Sequence, residues 1–493
     1  MHLSSCLAFI AGISSVHAFY PWELRLRVEL SAAKDTIERR FVPWNLPETT
    51  TDDDPNSTDD VNSTSSNDSK FVTLDLKKTH VRRDNRYRVV KSHTPSLENS
   101  AALHQDGTDY SYFCVAQIGS QKQEMWMQLD TGAPHTWVYD SKCNETVCIT
   151  HRTFDRSAST TYTTEGKGYR LYYGSGEVHG KLGTDTISVA GLDITQQFGQ
   201  ANNASEAFES YPFDGILGLG RSHTQGWNLP SFMDLIAEKK LLKSNLIGFS
   251  FSRAADGIND GEINFGGVDT TKFDGTISYT ATNSNLWRIP VDDVYVNGHK
   301  CGFSGKSATI DTGTTYLLIP PADAKTLFSF VPGSSQRDDT NYAVPCNSTA
   351  TIEFEFSGVK YNVSPKDYVG KHLANSTDSC FSHIVGYASN GDTWLVGDVF
   401  LKNVYTVFDY DNAQIGFGAL TSASAEAQRA NPNQSSNSSS TSAVASSAGD
   451  GTFTAPAVTS TAAIPTVSGS SASHLTRGIS WSMLPVIIGA FAI

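Results

Sequence analysis

The sequence predicts an all-β protein built as two similar lobes, and three observations carry that reading. The tripeptide Asp-Thr-Gly occurs twice, at Asp130-Thr131-Gly132 and Asp311-Thr312-Gly313. Each copy follows a strand-like segment, Met127-Gln128-Leu129 or Ala308-Thr309-Ile310, and each is answered downstream by two apolar residues and a glycine, Ile216-Leu217-Gly218 or Leu395-Val396-Gly397. The two frames nearly agree, with 88 residues from Asp130 to Gly218 and 86 from Asp311 to Gly397. An internal frame repeated in this way marks duplicated units, each delivering one aspartate on a tight strand-to-turn connection. The third observation is composition. The 493 residues include 39 glycines and 18 prolines, with abundant Thr, Val, Tyr and Phe, which suits a turn-rich β protein and exceeds one small domain.

The elements follow in chain order. Met1 to Ala18 carries an apolar stretch around Leu7 to Ile13 and ends Val16-His17-Ala18, the pattern of a signal peptide, and Cys6 leaves with it. Residues 19–99 hold an acidic, Ser/Thr/Asn-rich patch from Thr49 to Ser69, then Lys77, Lys78, Arg82, Arg83, Arg86, Arg88 and Lys91. Such a basic run upstream of two aspartates reads as a propeptide whose cations pair with those carboxylates, with Lys77-Lys78 and Arg82-Arg83 as candidate processing points. A first lobe is expected over residues 100–290. In it Tyr169-Arg170-Leu171-Tyr172-Tyr173 stops at Gly174 and reads as a strand entering a turn, and Pro230 to Leu241 sets Phe232, Leu235 and Ile236 on one helical face. A second lobe is expected over 291–420, with a helix from Pro321 to Phe330 opened by a proline in its first turn. Residues 421–470 are Ser/Thr/Ala-rich without apolar periodicity and predict an extended stalk. In residues 471–493 the apolar run Trp481 to Ile493 is shorter than the roughly 20 residues that span a bilayer. With the small residues Ser468 to Ser473 and a short spacer, it resembles a GPI-attachment signal with attachment near Ser470.

Two aspartates on equivalent turns point to a definite chemistry. Like charges in close contact do not both ionise, so such a pair shares one proton and titrates as a unit. The ionised partner can take a proton from water while the protonated partner polarises a carbonyl, and neither metal nor covalent intermediate is needed. Glycoside hydrolysis also uses two carboxylates, but its acid and base need unlike environments, which symmetric delivery does not provide. A lone Asp-Thr-Gly is an ordinary β-turn whose aspartate caps its own backbone; two in matching frames are not. The formal net charge of −14, from 37 basic and 51 acidic residues, disfavours nucleic acid as a partner and suits a secreted enzyme working in acid.

From Tyr110 to Leu420 the chain resembles the pepsin family of aspartic endopeptidases. The resemblance rests on Leu129-Asp130-Thr131-Gly132-Ala133-Pro134-His135-Thr136-Trp137-Val138, on Tyr173-Gly174-Ser175-Gly176, on Phe213-Asp214-Gly215-Ile216-Leu217-Gly218-Leu219-Gly220 and on Trp394-Leu395-Val396-Gly397-Asp398-Val399-Phe400. It implies a bilobal fold with a cleft between the lobes and Asp130 and Asp311 as the catalytic pair. Thr131, Gly132, Thr312 and Gly313 would support the turns, and Tyr173 and Gly174 would form a flap in which Tyr173 hydrogen-bonds Trp137. Phe213 and Ile216, with Phe208 beside them, would line the pocket for the residue before the cut, although such side chains equally fill cores. Thr314, grouped with the substrate-binding residues, keeps the hydroxyl that the family places after the triplet, whereas the first copy has Ala133, a departure expected to raise the pH at which the pair first loses a proton. The pairs Cys143–Cys148 and Cys346–Cys380 resemble family disulfides; Cys114 and Cys301 are left over, and the even count permits a third bridge. No cofactor is implied, and no Cys/His spacing suggests a metal. Sequons at Asn144, Asn203, Asn347 and Asn375 suit a secreted glycoprotein. The combined pattern is similar to GPI-anchored fungal endopeptidases of the yapsin-like group, monomers acting on peptides or proteins at the outer membrane leaflet or cell wall. The competing reading is a catalytically silent peptide-binding or adhesion protein on the same fold.

Overall fold

The computed structural model describes residues 85–221, 229–282, 284–374, 376–388 and 391–421. The expected signal peptide, most of the expected propeptide, the stalk, Ser470 and the apolar tail lie outside them, as does Asn375.

Strands dominate, and the internal repeat is visible in their pairing. In the first lobe Gln123–Asp130 runs parallel to Gly215–Gly218, placing Asp130 beside Gly218. Trp137–Tyr139 then pairs antiparallel with Gly215–Gly218 and parallel with Leu192–Ala204. In the second lobe Lys306–Ile310 runs parallel to Trp394–Val396, placing Ile310 beside Val396. Leu317–Ile319 pairs antiparallel with Trp394–Val396 and parallel with Ile384–Gly386. The same four-strand weave thus stands behind each aspartate. Its central strands, Gly215–Gly218, Trp137–Tyr139, Trp394–Val396 and Leu317–Ile319, are fully buried. The first weave extends into an eight-stranded sheet and the second forms a five-stranded one.

A third, six-stranded sheet takes Ser100–Ala102, Glu262–Phe265, Leu246–Ser250 and Phe273–Ala281 together with Val404–Asp409 and Gln414–Leu420. Residues 246–281, assigned from the sequence to the first lobe, therefore pair with the end of the second, Leu246 opposite Asp409. The described residues lie within one compact unit.

The helix at Phe232–Lys239 lies inside the span expected from sequence. Ser231 and Asp234 close a reciprocal capping box, and Lys240 ends it with a left-handed φ of 52°. The second helix, Pro321–Ser329, starts on its proline. The run Gly168–Tyr173 is the first arm of a hairpin whose second arm is Gly176–Val189, with Tyr173 opposite Gly176 across Gly174-Ser175.

Residues 85–99, expected as the end of the propeptide, pack onto this body. Val90 and Gln105 exchange backbone hydrogen bonds of 2.8 and 3.1 Å, the Ser92 hydroxyl donates to Leu103 O at 2.6 Å, and His93 N donates to Asn259 O at 2.7 Å. Arg86, Arg88 and Lys91 are exposed and form no ion pair among the described residues. The cations of this part of the basic run therefore do not lie on Asp130 or Asp311; Lys77 to Arg83 are outside the described residues.

Candidate active site

The two Asp-Thr-Gly turns meet face to face. Asp130 closes the strand Gln123–Asp130 and Asp311 follows Lys306–Ile310; their relative exposures are 0% and 1%. Each carboxylate is held by its own turn, where Gly132 N and Ala133 N donate to Asp130 Oδ1 at 2.8 and 3.0 Å and Gly313 N donates to Asp311 Oδ1 at 2.8 Å. Gly132 N also reaches Asp311 Oδ1 at 3.1 Å, so one amide serves both acids. A Cβ at Gly132 would lie 2.5 Å from Asp311 Oδ2, which is why glycine is required there.

The threonines lock the turns reciprocally from behind. Thr131 N donates to Thr312 Oγ1 at 3.1 Å and Thr312 N to Thr131 Oγ1 at 3.0 Å, while Thr131 Oγ1 donates to Ile310 O and Thr312 Oγ1 to Leu129 O, at 3.1 and 2.7 Å. A further link joins the lobes, from Gln128 Nε2 to Gly313 O at 3.1 Å. Sequence reasoning passed over Gln128, although an amide side chain set between Met127 and Leu129 is a signal, because a buried polar group must find a partner.

The two acids are not electrically equivalent. Burial, and then the neighbouring Asp311 charge, pushes the Asp130 carboxyl well above its ordinary range, against which only backbone N–H groups act. Burial also raises Asp311, but the Thr314 hydroxyl, donating to Asp311 Oδ2 at 2.7 Å, opposes the rise together with the Gly313 amide. No side-chain hydroxyl occupies the matching position beside Asp130, because residue 133 is alanine. The shared proton therefore belongs on Asp130 and the charge on Asp311. Thr314, grouped from the sequence with substrate-binding residues, is committed to Asp311.

The hairpin carries Tyr173, whose hydroxyl is near enough to Asp130 to feel its charge. Trp137 Nε1 donates to Tyr173 Oη at 2.9 Å. Phe208 sits edge-on to both Trp137 and Tyr173, with ring centroids 5.8 and 5.9 Å away, and Tyr211 stacks on Phe213 at 5.3 Å. Phe213 and Ile216 belong to the same buried cluster. Gly174 lies at the exposed hairpin turn.

Asp214, inside the Phe213-Asp214-Gly215 motif, was also missed as a structural centre. It is fully buried and accepts from Trp126 N, Arg152 N and Asn85 Nδ2, each at 2.8 Å. Burial pushes its carboxyl up to about 7. The disulfides Cys143–Cys148 and Cys346–Cys380 are formed. Cys114, buried, and Cys301, half-buried, are unbonded. Asn144 and Asn347 are exposed, and half-buried Asn203 donates to Glu145 Oε1 at 3.4 Å.

Comparison with known proteins agrees with this geometry. Residues 111–420 match the family described as eukaryotic aspartyl protease. The chain is 51% identical over 423 residues to an aspartic-type endopeptidase, ctsD, of Aspergillus fumigatus, covering 85% of this chain and 87% of the relative. It is 40% identical over 353 residues to a probable aspartic-type endopeptidase of Arthroderma benhamiae, covering 71% and 69%, and 32% identical over 325 residues to cathepsin D of Dictyostelium discoideum, covering 63% and 84%. A paired-aspartate site on a duplicated β weave and a family match across both lobes lead to one conclusion: the chain belongs to the eukaryotic aspartyl protease family and is an aspartic-type endopeptidase.

Proposed function

We propose that Asp130 and Asp311 are the catalytic pair of a secreted, GPI-anchored enzyme that hydrolyses peptide bonds of peptides or proteins in acid, acting as a monomer outside the plasma membrane. Asp311, ionised, takes a proton from a water molecule as its oxygen adds to the scissile carbonyl carbon. Asp130 gives its proton to the carbonyl oxygen, so the developing charge is neutralised where it forms. Asp311 then passes its proton to the amide nitrogen, the C–N bond breaks, and Asp130 recovers a proton from the collapsing diol. Tyr173 and Trp137 cover the reaction, while Phe208, Phe213 and Ile216 receive the side chain before the cut.

The observation that supports this reading is the pair of buried carboxyl groups sharing the Gly132 amide, with the Thr314 hydroxyl donating to Asp311. Asp130→Asn and Asp311→Asn should each lower kcat by at least about 10³-fold, since one carboxyl cannot supply both functions, while the folded protein is still secreted. Turnover within tenfold of the parent by either purified variant would overturn the assignment. The surface anchor is supported by the small-residue segment, spacer and apolar run of residues 468–493. Truncation before Ile479 should release active enzyme into the medium; continued attachment of that form would count against the anchor.

A further inference from the structure

The loop from Ser205 to Asp214 carries the aromatic residues that close on the hairpin, and its backbone is held from outside. Three of its carbonyl oxygens are met by side chains of other segments: Glu209 O accepts from the Tyr87 hydroxyl, Pro212 O accepts from Asn85 Nδ2, and Tyr211 O lies 2.7 Å from His151 Nε2. Asn85 Nδ2 also donates to Asp214 Oδ1, and its own Oδ1 accepts from Tyr87 N at 3.0 Å, which fixes the amide's orientation. The Tyr87 ring lies 4.9 Å from His151, and Val89 packs against the cluster of Trp137, Tyr173, Phe208 and Phe213. Two of the three outside supports thus come from residues 85–87, upstream of the first strand of the six-stranded sheet.

We propose that residues 85–93 stay on the mature enzyme as a strap that positions the 205–214 loop, and through it the recognition of the substrate side chain before the cut. Maturation then ends upstream of Asn85, at the Arg82-Arg83 pair. The Arg83–Asp84 amide is hydrolysed, water's hydroxyl going to the Arg83 carbonyl carbon and its proton to the new amine of Asp84. Removal as far as Asn99 would leave Glu209 O and Pro212 O without their donors beside a packed aromatic cluster, a costly arrangement for groups away from water. The inference rests on the reading of Phe208, Phe213 and Ile216 as pocket walls. Asn85 and Tyr87 are positioning residues; they do not touch the reacting atoms.

The test has two parts, both on the full chain secreted by a eukaryotic host. N-terminal sequencing of the active protein should give Asp84; any start at or before Asn85 keeps the strap, and an active protein that begins after Asn85 overturns the proposal. Steady-state kinetics on two peptides differing only in Phe or Ala before the cut should show Asn85→Ala and Tyr87→Phe each raising KM for the Phe peptide roughly three- to tenfold, with kcat within twofold and the preference for Phe reduced. Arg88→Ala, an exposed change on the same strap, should leave both parameters unchanged. Phe213→Ala separates the readings. If it erodes the preference while the strap variants match the parent, the strap fails and the pocket stands; if none of the three alters it, the pocket reading fails and takes the proposal with it.

Discussion

At the scale of single residues, the missing hydroxyl at position 133 leaves Asp130 with backbone donors alone, while Asp311 keeps the Thr314 hydroxyl. From the sequence, its effect is expected on the first proton lost by the pair. Unequal donors favour the proton on Asp130, so Ala133 is expected to bear on the second loss as well, which ends activity as pH rises. Ala133→Ser would add a donor that favours ionised Asp130. The alkaline limb of kcat/KM should then move down by about one pH unit, the size of one hydrogen bond to a charged group, with a smaller change on the acidic limb. A pH profile of both forms on one peptide measures this, and an unmoved alkaline limb would show that the hydroxyl does not reach Asp130. The result matters for where the enzyme works, because alanine here extends activity toward neutral pH relative to a serine at the same position.

At the scale of elements, the tip of the Gly168–Val189 hairpin is set by one glycine. Gly176 has φ of 131°, and a Cβ there would lie 2.4 Å from Ser205 Cβ. That approach lets Ser205 Oγ accept from Glu177 N and Ser205 N donate to Glu177 O, both at 2.9 Å, fastening the hairpin to the loop that carries Phe208. Gly176→Ala should cost ~1–3 kcal/mol of local strain, which the hairpin relieves by shifting. A tenfold or greater fall in kcat/KM with little change in unfolding temperature is expected, and a parental kcat/KM would show that the tip geometry is not used in turnover. The hairpin arm, both helices and the two aspartate turns were legible in the sequence because each signal is local: an aromatic run ending in glycine, an apolar helical face, a repeated triplet. The six-stranded sheet was not, since pairing Leu246 with Asp409 joins residues that no short window connects. The anchoring of Asn85 on Asp214 was hidden for the same reason, and the basic residues around it favoured the reading of a detachable segment. Gln128 shows a middle case, in which the anomaly was visible but its partner Gly313 was not.

At the scale of the whole molecule, buried acids of opposite character set a stability optimum in acid. Asp367 is fully buried between Arg253 and Lys402, and those cations hold its carboxyl below the ordinary range. Arg253 also donates to Lys402 O and Asn403 Oδ1, tying the connection after Leu246–Ser250 to the second lobe. A carboxylate depressed in the folded state stabilises above its unfolded pKa, and that contribution is lost as pH falls through the folded value, below about 4. Asp214 has the reverse sign. Its folded value of about 7 lies above the ordinary 3.8, so its contribution is complete below about 4 and is lost as pH rises through 7. The shift corresponds to ~4 kcal/mol between those limits, and Asp398, held well above the ordinary range by burial, adds a loss of the same sign. Thermal unfolding followed across pH should therefore show a maximum near pH 4 to 5 and a fall of several degrees by pH 7 to 8. Asp214→Asn should lower the maximum, because its amide cannot accept at both oxygen positions from Trp126 N, Arg152 N and Asn85, but it should flatten the alkaline fall. An equally steep fall in that variant would assign the alkaline loss to other groups and remove Asp214 as its source.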